Sequence, residues 1–321
     1  MSIRDLITID FIKNNYVLGV TLTLPDGTPY PDELFEQAIE SAISVVESEL
    51  GIVIDPFKVK REKHDAIVEH KDAFYPFMLD MRPVRAITGL EITLGNYDPV
   101  EMPAEWGVIS SAQAGQIHLI PTSTTIGSFF FRSGIPLLFG DVFSPYKFVP
   151  SYFSVDYQAG FFFQEGVATI AEGETEVEIE LTTPTNGDRL YVQLTVLDDA
   201  GGTGARVRES GSESFKISVR TAPDEGDMTI AYVAHTVDPL ILKAVGMIAA
   251  MTPLDIAGDL IAGAGIAQFS IGVDGLSQSV ATTSSATNAG YGARIKSFQE
   301  QLKATMSALR AKYRMINTFS V

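Results

Sequence analysis

The chain has 321 residues, 45% of them hydrophobic, with 23 Lys and Arg against 40 Asp and Glu, a formal net charge of −17 and no cysteine. That length suits two or three domains, and that apolar share supports sizeable cores and excludes global disorder. The charge argues against sequence-independent nucleic-acid binding through a generally basic surface, and the missing thiol removes disulfides, thiolate catalysis and cysteine metal sites together.

The first ten residues carry acids and no long apolar core, so they do not read as a signal peptide. Residues 31–50 predict a helix. Pro31 and Asp32 supply start signals, Gly51 a stop, and Phe35, Ile39, Ala42, Ile43, Val46 and Leu50 recur at helical spacing. Residues 52–75 are charged and mixed. From there the pattern turns to short strands. Met81–Ile92 reads as a strand led by Pro83, Gln116–Pro121 as another, and Tyr152–Gly160 as a strand ending at a glycine. Aromatics gather between Phe129 and Tyr157, which predicts a buried sheet face or a loop packed on a neighbouring subunit.

Residues 161–236 differ in character. Val177, Ile179 and Leu181 alternate with Glu176, Glu178 and Glu180. Leu190 to Val196, Phe215 to Val219 and Met228 to Tyr232 repeat the period of two. The segment holds 14 acids and 5 bases, so 5 − 14 = −9, more than half of the net charge of −17. These features predict a small, exposed antiparallel sandwich or barrel, inserted at a strand-to-helix loop.

Asp238-Pro239 and Thr252-Pro253 are both cap-plus-proline signatures, predicting a helix pair over about 239–251 and 253–263. Lys243 and Asp255 enclose only eleven uncharged residues, so this apolar stretch reads as buried in a core or subunit interface and not as a membrane span. Gln268–Val273 reads as a strand. Residues 274–290 are small and polar, which suits either a flexible linker or an extended arm lying in a neighbour's groove. The last helix, about 291–316, has one apolar stripe of Ile295, Phe298, Leu302, Met306, Leu309 and Tyr313. Its six bases, among them Arg310, Lys312 and Arg314, face a single acid, Glu300. Those cations either complement helix ends and acidic neighbours or dock onto a negative partner surface.

No catalytic constellation stands out. His64 and His70 lie six apart, not at the helical spacing of a zinc protease, and Gly201–Ala205 lacks the ending of a phosphate loop. The row Glu176, Glu178 and Glu180 reads as a solvated strand edge. No enzyme activity, cofactor or metal is expected.

With 161–236 set aside, a pattern remains. A capped acidic helix precedes Arg82-Pro83-Val84-Arg85-Ala86-Ile87. A strand ending Val155-Asp156-Tyr157-Gln158-Ala159-Gly160-Phe161 follows, and then Asp238-Pro239-Leu240-Ile241-Leu242-Lys243-Ala244. This resembles the head–tail connector (adaptor, neck) proteins of tailed bacteriophages, over roughly 31–160 discontinuously and 237–315. The length and the insertion depart from that pattern. The resemblance implies a structural virion protein forming a homo-oligomeric ring, roughly a dodecamer, under the portal. Such a ring meets the portal and other neck or tail proteins and lets DNA through during genome packaging and ejection without binding it specifically. The implied locations are the virion neck and, during assembly, the host cytoplasm, with no membrane contact.

The expected fold class is α+β: a helical core with a small β-sheet, carrying an inserted antiparallel β-sandwich-like domain. Its parts are 1–160 as the first piece of the core, 161–236 as the insertion, and 237–321 as the second piece, with an arm at 264–290. Ile295, Phe298, Leu302 and Leu309 are expected to anchor the last helix, with Arg310, Lys312 and Arg314 as partner-docking candidates. The insertion would reach capsid, fibres or solvent. The alternative is a tail or baseplate component whose β domain binds carbohydrate or host surface.

Overall fold

A computed structural model describes residues 2–20, 22–23, 28–67, 70, 74–93, 98–120, 148–182, 188–198, 204–211, 213–223, 226–262, 268–273, 276–281 and 291–313. The aromatic cluster from Phe129 to Tyr146, most of the 274–290 stretch and Arg314 lie outside them. The chain forms two compact units, one from 51–237 and one from 2–50 joined with 238–314.

The first unit is made of strands. β1 (Phe57–Ile67), β2 (Phe77–Met78), β3 (Val84–Ile92), β4 (Val100–Met102), β5 (Gly107–Ser111), β6 (Gln116–Leu119) and β7 (Phe148–Ala159) form two antiparallel sheets, ordered β1-β7-β3-β4 and β2-β6-β5. β7 is the long inner strand. It pairs with β1 from Phe57 opposite Ala159 to Ile67 opposite Phe148, and with β3 from Val84 opposite Ala159 to Ile92 opposite Phe153. Its run Tyr152, Phe153, Val155, Tyr157 and Ala159 is buried together with Leu90, Trp106 and Ile117.

Six more strands follow: β8 (Phe163–Ile170), β9 (Glu176–Glu180), β10 (Tyr191–Asp198), β11 (Arg206–Ser210), β12 (Ser214–Ser218) and β13 (Met228–His235). They make two three-stranded antiparallel sheets, β10-β13-β8 and β11-β12-β9. Ile170, Phe215, Ile217, Met228 and Ile230 share one core. The alternation read at Glu176–Glu180 is visible in the register, where Ile179 lies opposite Phe215 and Glu178 opposite Lys216. Gln164 covers part of the free edge of β9. Its amide nitrogen donates to the Glu180 carbonyl (3.0 Å) and its amide oxygen accepts from the Thr182 N–H (2.8 Å).

The second unit carries the helices: α1 (Ile3–Leu6), α2 (Ile9–Asn15), α3 (Asp32–Leu50), α4 (Pro239–Ala262) and α5 (Gly292–Tyr313). Ser2 and Asp5 form a capping box on α1, and the Thr8 hydroxyl accepts from the Phe11 N–H to cap α2. α3 buries Phe35, Ala38, Ile39, Ala42, Val46 and Leu50, one stripe at helical spacing. α4 packs against α3 and α5 and touches α2, where a Cβ on Gly246 would lie 2.4 Å from the Tyr16 ring. Its window Pro239–Gly258 is long and apolar enough to cross a membrane, yet 56% of it is buried, so much of that apolarity is spent on packing. β14 (Gln268–Val273) and β15 (Leu276–Ala281) form a hairpin.

Three expectations need correction. The fold is not a helical core with a small sheet that carries an inserted sandwich. The molecule is mostly antiparallel sheet, and the strands of 57–119 and 148–159 have a core of their own. β3, β6 and β7 match the strands expected at 81–92, 116–121 and 152–160, whereas β1 was hidden because bulges interrupt its alternation between Val59 and Glu62 and between His64 and Ala66. The pair of helices at 239–263 is one continuous helix with Pro253 inside it. Proline removes one hydrogen bond there, and burial of Ala249, Ala250, Leu254 and Ala257 around it sustains the helix. Part of the presumed linker or arm, Leu276–Ala281, is a hairpin strand.

His235 ends β13, between Tyr191 (ring centroids 5.7 Å apart) and Phe163 (6.3 Å). It is buried, and its Nδ1 has no hydrogen-bond partner among the described residues. Burial pushes its pKa from 6.5 down to about 4, outweighing a backbone hydrogen bond with Val237. Between those values the unfolded chain binds the proton and the folded chain does not, so stability falls as pH drops from 6.5 towards 4. We predict a loss on the order of 3 kcal/mol across that window, read by urea unfolding against pH. His235→Phe should flatten that part of the profile.

Candidate partner-docking site and the strand-end lock

α5 is the element on which the partner-docking candidates fall. Ile295, Met306, Leu309 and Tyr313 are buried, while Phe298 and Leu302 are half-buried. Phe298 meets the Tyr16 ring edge-on at 6.0 Å, and the Arg294 guanidinium lies over the Phe298 ring, 5.9 Å from its centre. The apolar anchors are therefore engaged within the helical unit.

So are the described cations at its end. Arg310 pairs with Glu49 at the end of α3. Lys312 donates to the Asp238 carboxylate (2.8 Å), whose other oxygen accepts from the Leu240 N–H and caps α4. Asp238 is only 12% exposed, so Lys312 neutralises a largely sheltered acid. These two residues tie α5 to the end of one helix and the start of another. Arg314 lies outside the described residues. The sequence carries the cap at Asp238 but no sign that Lys312, 74 residues away, would share it.

A second polar cluster sits where the motif Tyr157-Gln158-Ala159-Gly160-Phe161 ends β7. Glu62 and His64 are two apart on β1, a spacing that puts them on one face of a strand. His64 Nε2 donates to Glu62 Oε1 (2.8 Å), which also accepts from the Asp80 N–H (2.9 Å). The Tyr157 hydroxyl donates to Glu62 Oε2 and accepts from the Met81 N–H (3.0 Å). His64 stacks on Phe77 with centroids 4.6 Å apart. Burial raises the Glu62 pKa, but the hydrogen bonds from His64, Tyr157 and Asp80 outweigh it and hold the carboxyl below its usual range. Burial, then the bond to Glu62, raises the Tyr157 pKa. Both carboxylate oxygens are engaged, so the cluster acts as a lock between β1, β7 and the Asp80–Met81 backbone. From sequence, His64 was weighed only against His70 as a metal pair and Glu62 was not singled out, although their spacing of two was the available signal.

At the end of that strand the backbone closes. Gly160 has φ +91°, and a Cβ there would lie 2.2 Å from the Asp55 carbonyl oxygen. The Gly160 N–H donates to the Pro83 carbonyl and the Phe161 N–H to the Ile54 carbonyl, both at 2.9 Å.

Among the described residues, no group of three or more His, Asp or Glu is placed to hold a metal ion. The helical unit has a groove of about 510 Å³ between α1, α2 and α3, floored by Ile7 and Ile39. No family model matches the chain, and no curated protein matches it.

Tyr157→Phe leaves the Met81 N–H without its acceptor and Glu62 Oε2 without its donor. We predict a loss of about 1–3 kcal/mol in unfolding free energy, measured by denaturant titration.

Proposed function

We propose that the protein is a head–tail connector of a tailed bacteriophage: one subunit of a ring beneath the portal that joins capsid to tail. The observation that carries this reading is the strand end Tyr157–Phe161, whose residues bear the resemblance. Four of these five have a structural task there. Tyr157 locks to Glu62, Ala159 is buried in the sheet, Gly160 permits the close backbone crossing, and Phe161 bonds to Ile54. A motif spent on rigid backbone geometry suits a protein that supplies shape and contact surfaces.

Charge supports the same reading. A chain of net charge −17 would line a channel that repels phosphate, so passing DNA slides and is not retained. In this proposal the subunit works in the neck of the virion, after assembly in the host cytoplasm. It contacts its own copies, the portal and other neck or tail proteins. The strands from β8 to β13 reach outward to capsid, fibres or solvent, and the protein carries out no chemistry.

One observation favours a second reading, a tail or baseplate component whose strands bind carbohydrate or host surface. Val167 on β8 and Leu197 on β10 are 61% and 60% exposed, an apolar exposure on an otherwise acidic segment.

Mass photometry and negative-stain microscopy of the purified protein, alone and with portal, separate the two. The connector reading expects a discrete annulus, alone or on the portal. A trimer that binds glycan and ignores the portal would overturn it.

A further inference from the structure

Copies of a chain with net charge −17 repel one another, so a stable contact between them needs locally opposite patches. Two such patches are unspent among the described residues. The first is the outer edge of β1. Among the described residues its only strand partner is β7, and the exposed side chains of Lys58, Lys60 and Lys63 have no ion pair or hydrogen bond there. Lys58 lies opposite Gln158 and Lys63 opposite Ser154, two residues on the same face of β7, and Lys60 follows Lys58 by one strand repeat. The intervening Glu62 is consumed by His64, Asp80 and Tyr157. α5 is a weaker candidate, because Glu300 separates its exposed Lys296 and Lys303.

The second patch is the groove between α1, α2 and α3, about 510 Å³ in volume with Ile7 and Ile39 at its base. Its two cations are used at its rim, Arg4 on Glu40 (3.0 Å) and Lys13 on Asp32 (2.9 Å). Asp10 and Glu36 remain exposed and without a partner among the described residues. The groove thus offers an apolar floor and two unneutralised carboxylates.

We propose that the lysine edge of β1 on one copy docks against the Asp10–Glu36 groove of the next. The two patches are different surfaces, so the contact is head-to-tail, the kind that closes into a ring when the rotation between neighbours allows it. The inference rests on the ring proposed above and names the surfaces that join its subunits. Lysines on a free strand edge also deter sheet-to-sheet aggregation. That guarding needs charge of either sign, whereas docking needs positive charge.

Charge reversal tests the contact. One variant carries Lys58→Glu, Lys60→Glu and Lys63→Glu; the other carries Asp10→Lys and Glu36→Lys. Assembly is followed by mass photometry at low salt, with thermal unfolding to confirm that both variants fold. Each variant alone should need at least about tenfold more protein to assemble than the wild type. An equal mixture should recover assembly, because each reversed patch then meets its complement. Wild-type assembly by either variant alone, or a mixture that stays dissociated, overturns the contact. So does a lysine variant that loses DNA binding with assembly unchanged, which would assign the edge to a polyanion. A wild type that is monomeric at low salt also overturns it, while an annulus on the portal would still uphold the connector reading.

Discussion

The strand unit depends on one close passage of backbone. At Gly160 the chain turns past Asp55 with so little room that a Cβ would lie 2.2 Å from a carbonyl oxygen. Three separate segments meet there, at 54–55, 83 and 160–161, and they are joined by backbone hydrogen bonds. Because side chains alternate along a strand, fixing this point fixes the register of β7 against both neighbours. Phe57 and Val84 each face Ala159 across the sheet, so β1 and β3 are set from the same residue. That register brings Tyr157 to Glu62, and burial makes the bond between them costly to leave unmade.

What the sequence revealed follows from the same physics. α3 was legible because its caps and its stripe agree, and β9, β10, β12 and β13 because one wet face and one buried face give a clean period of two. β1 was illegible because two bulges shift its phase and because its cations mask the pattern, as at Lys58, Lys60 and Lys63. β11, with Arg206, Arg208 and Glu209 in five residues, shows the same masking. Pro253 reads as a helix start by local chemistry, and tertiary burial overrides it.

The candidate site was legible in outline only. The apolar stripe of α5 is present, and its members Ile295 and Leu309 are buried. The destinations of Arg310 and Lys312 were not readable, because Glu49 and Asp238 are 261 and 74 residues away in sequence. Local pattern says that a cation is available and says nothing about which distant acid consumes it. Once those pairs are assigned, the unspent positive charge of the described chain is densest on β1, a strand that the sequence alone did not predict. In the proposed ring, the surface that joins subunits would be set by which charges folding leaves over.

Gly160→Ala tests the central constraint most directly, with equilibrium unfolding as the readout. A methyl group there meets the Asp55 carbonyl and sits on a backbone conformation that L residues rarely adopt, so a loss of more than about 3 kcal/mol is expected. A variant within about 0.5 kcal/mol of the wild type would show that the strands do not hang on this crossing, and would contradict the account.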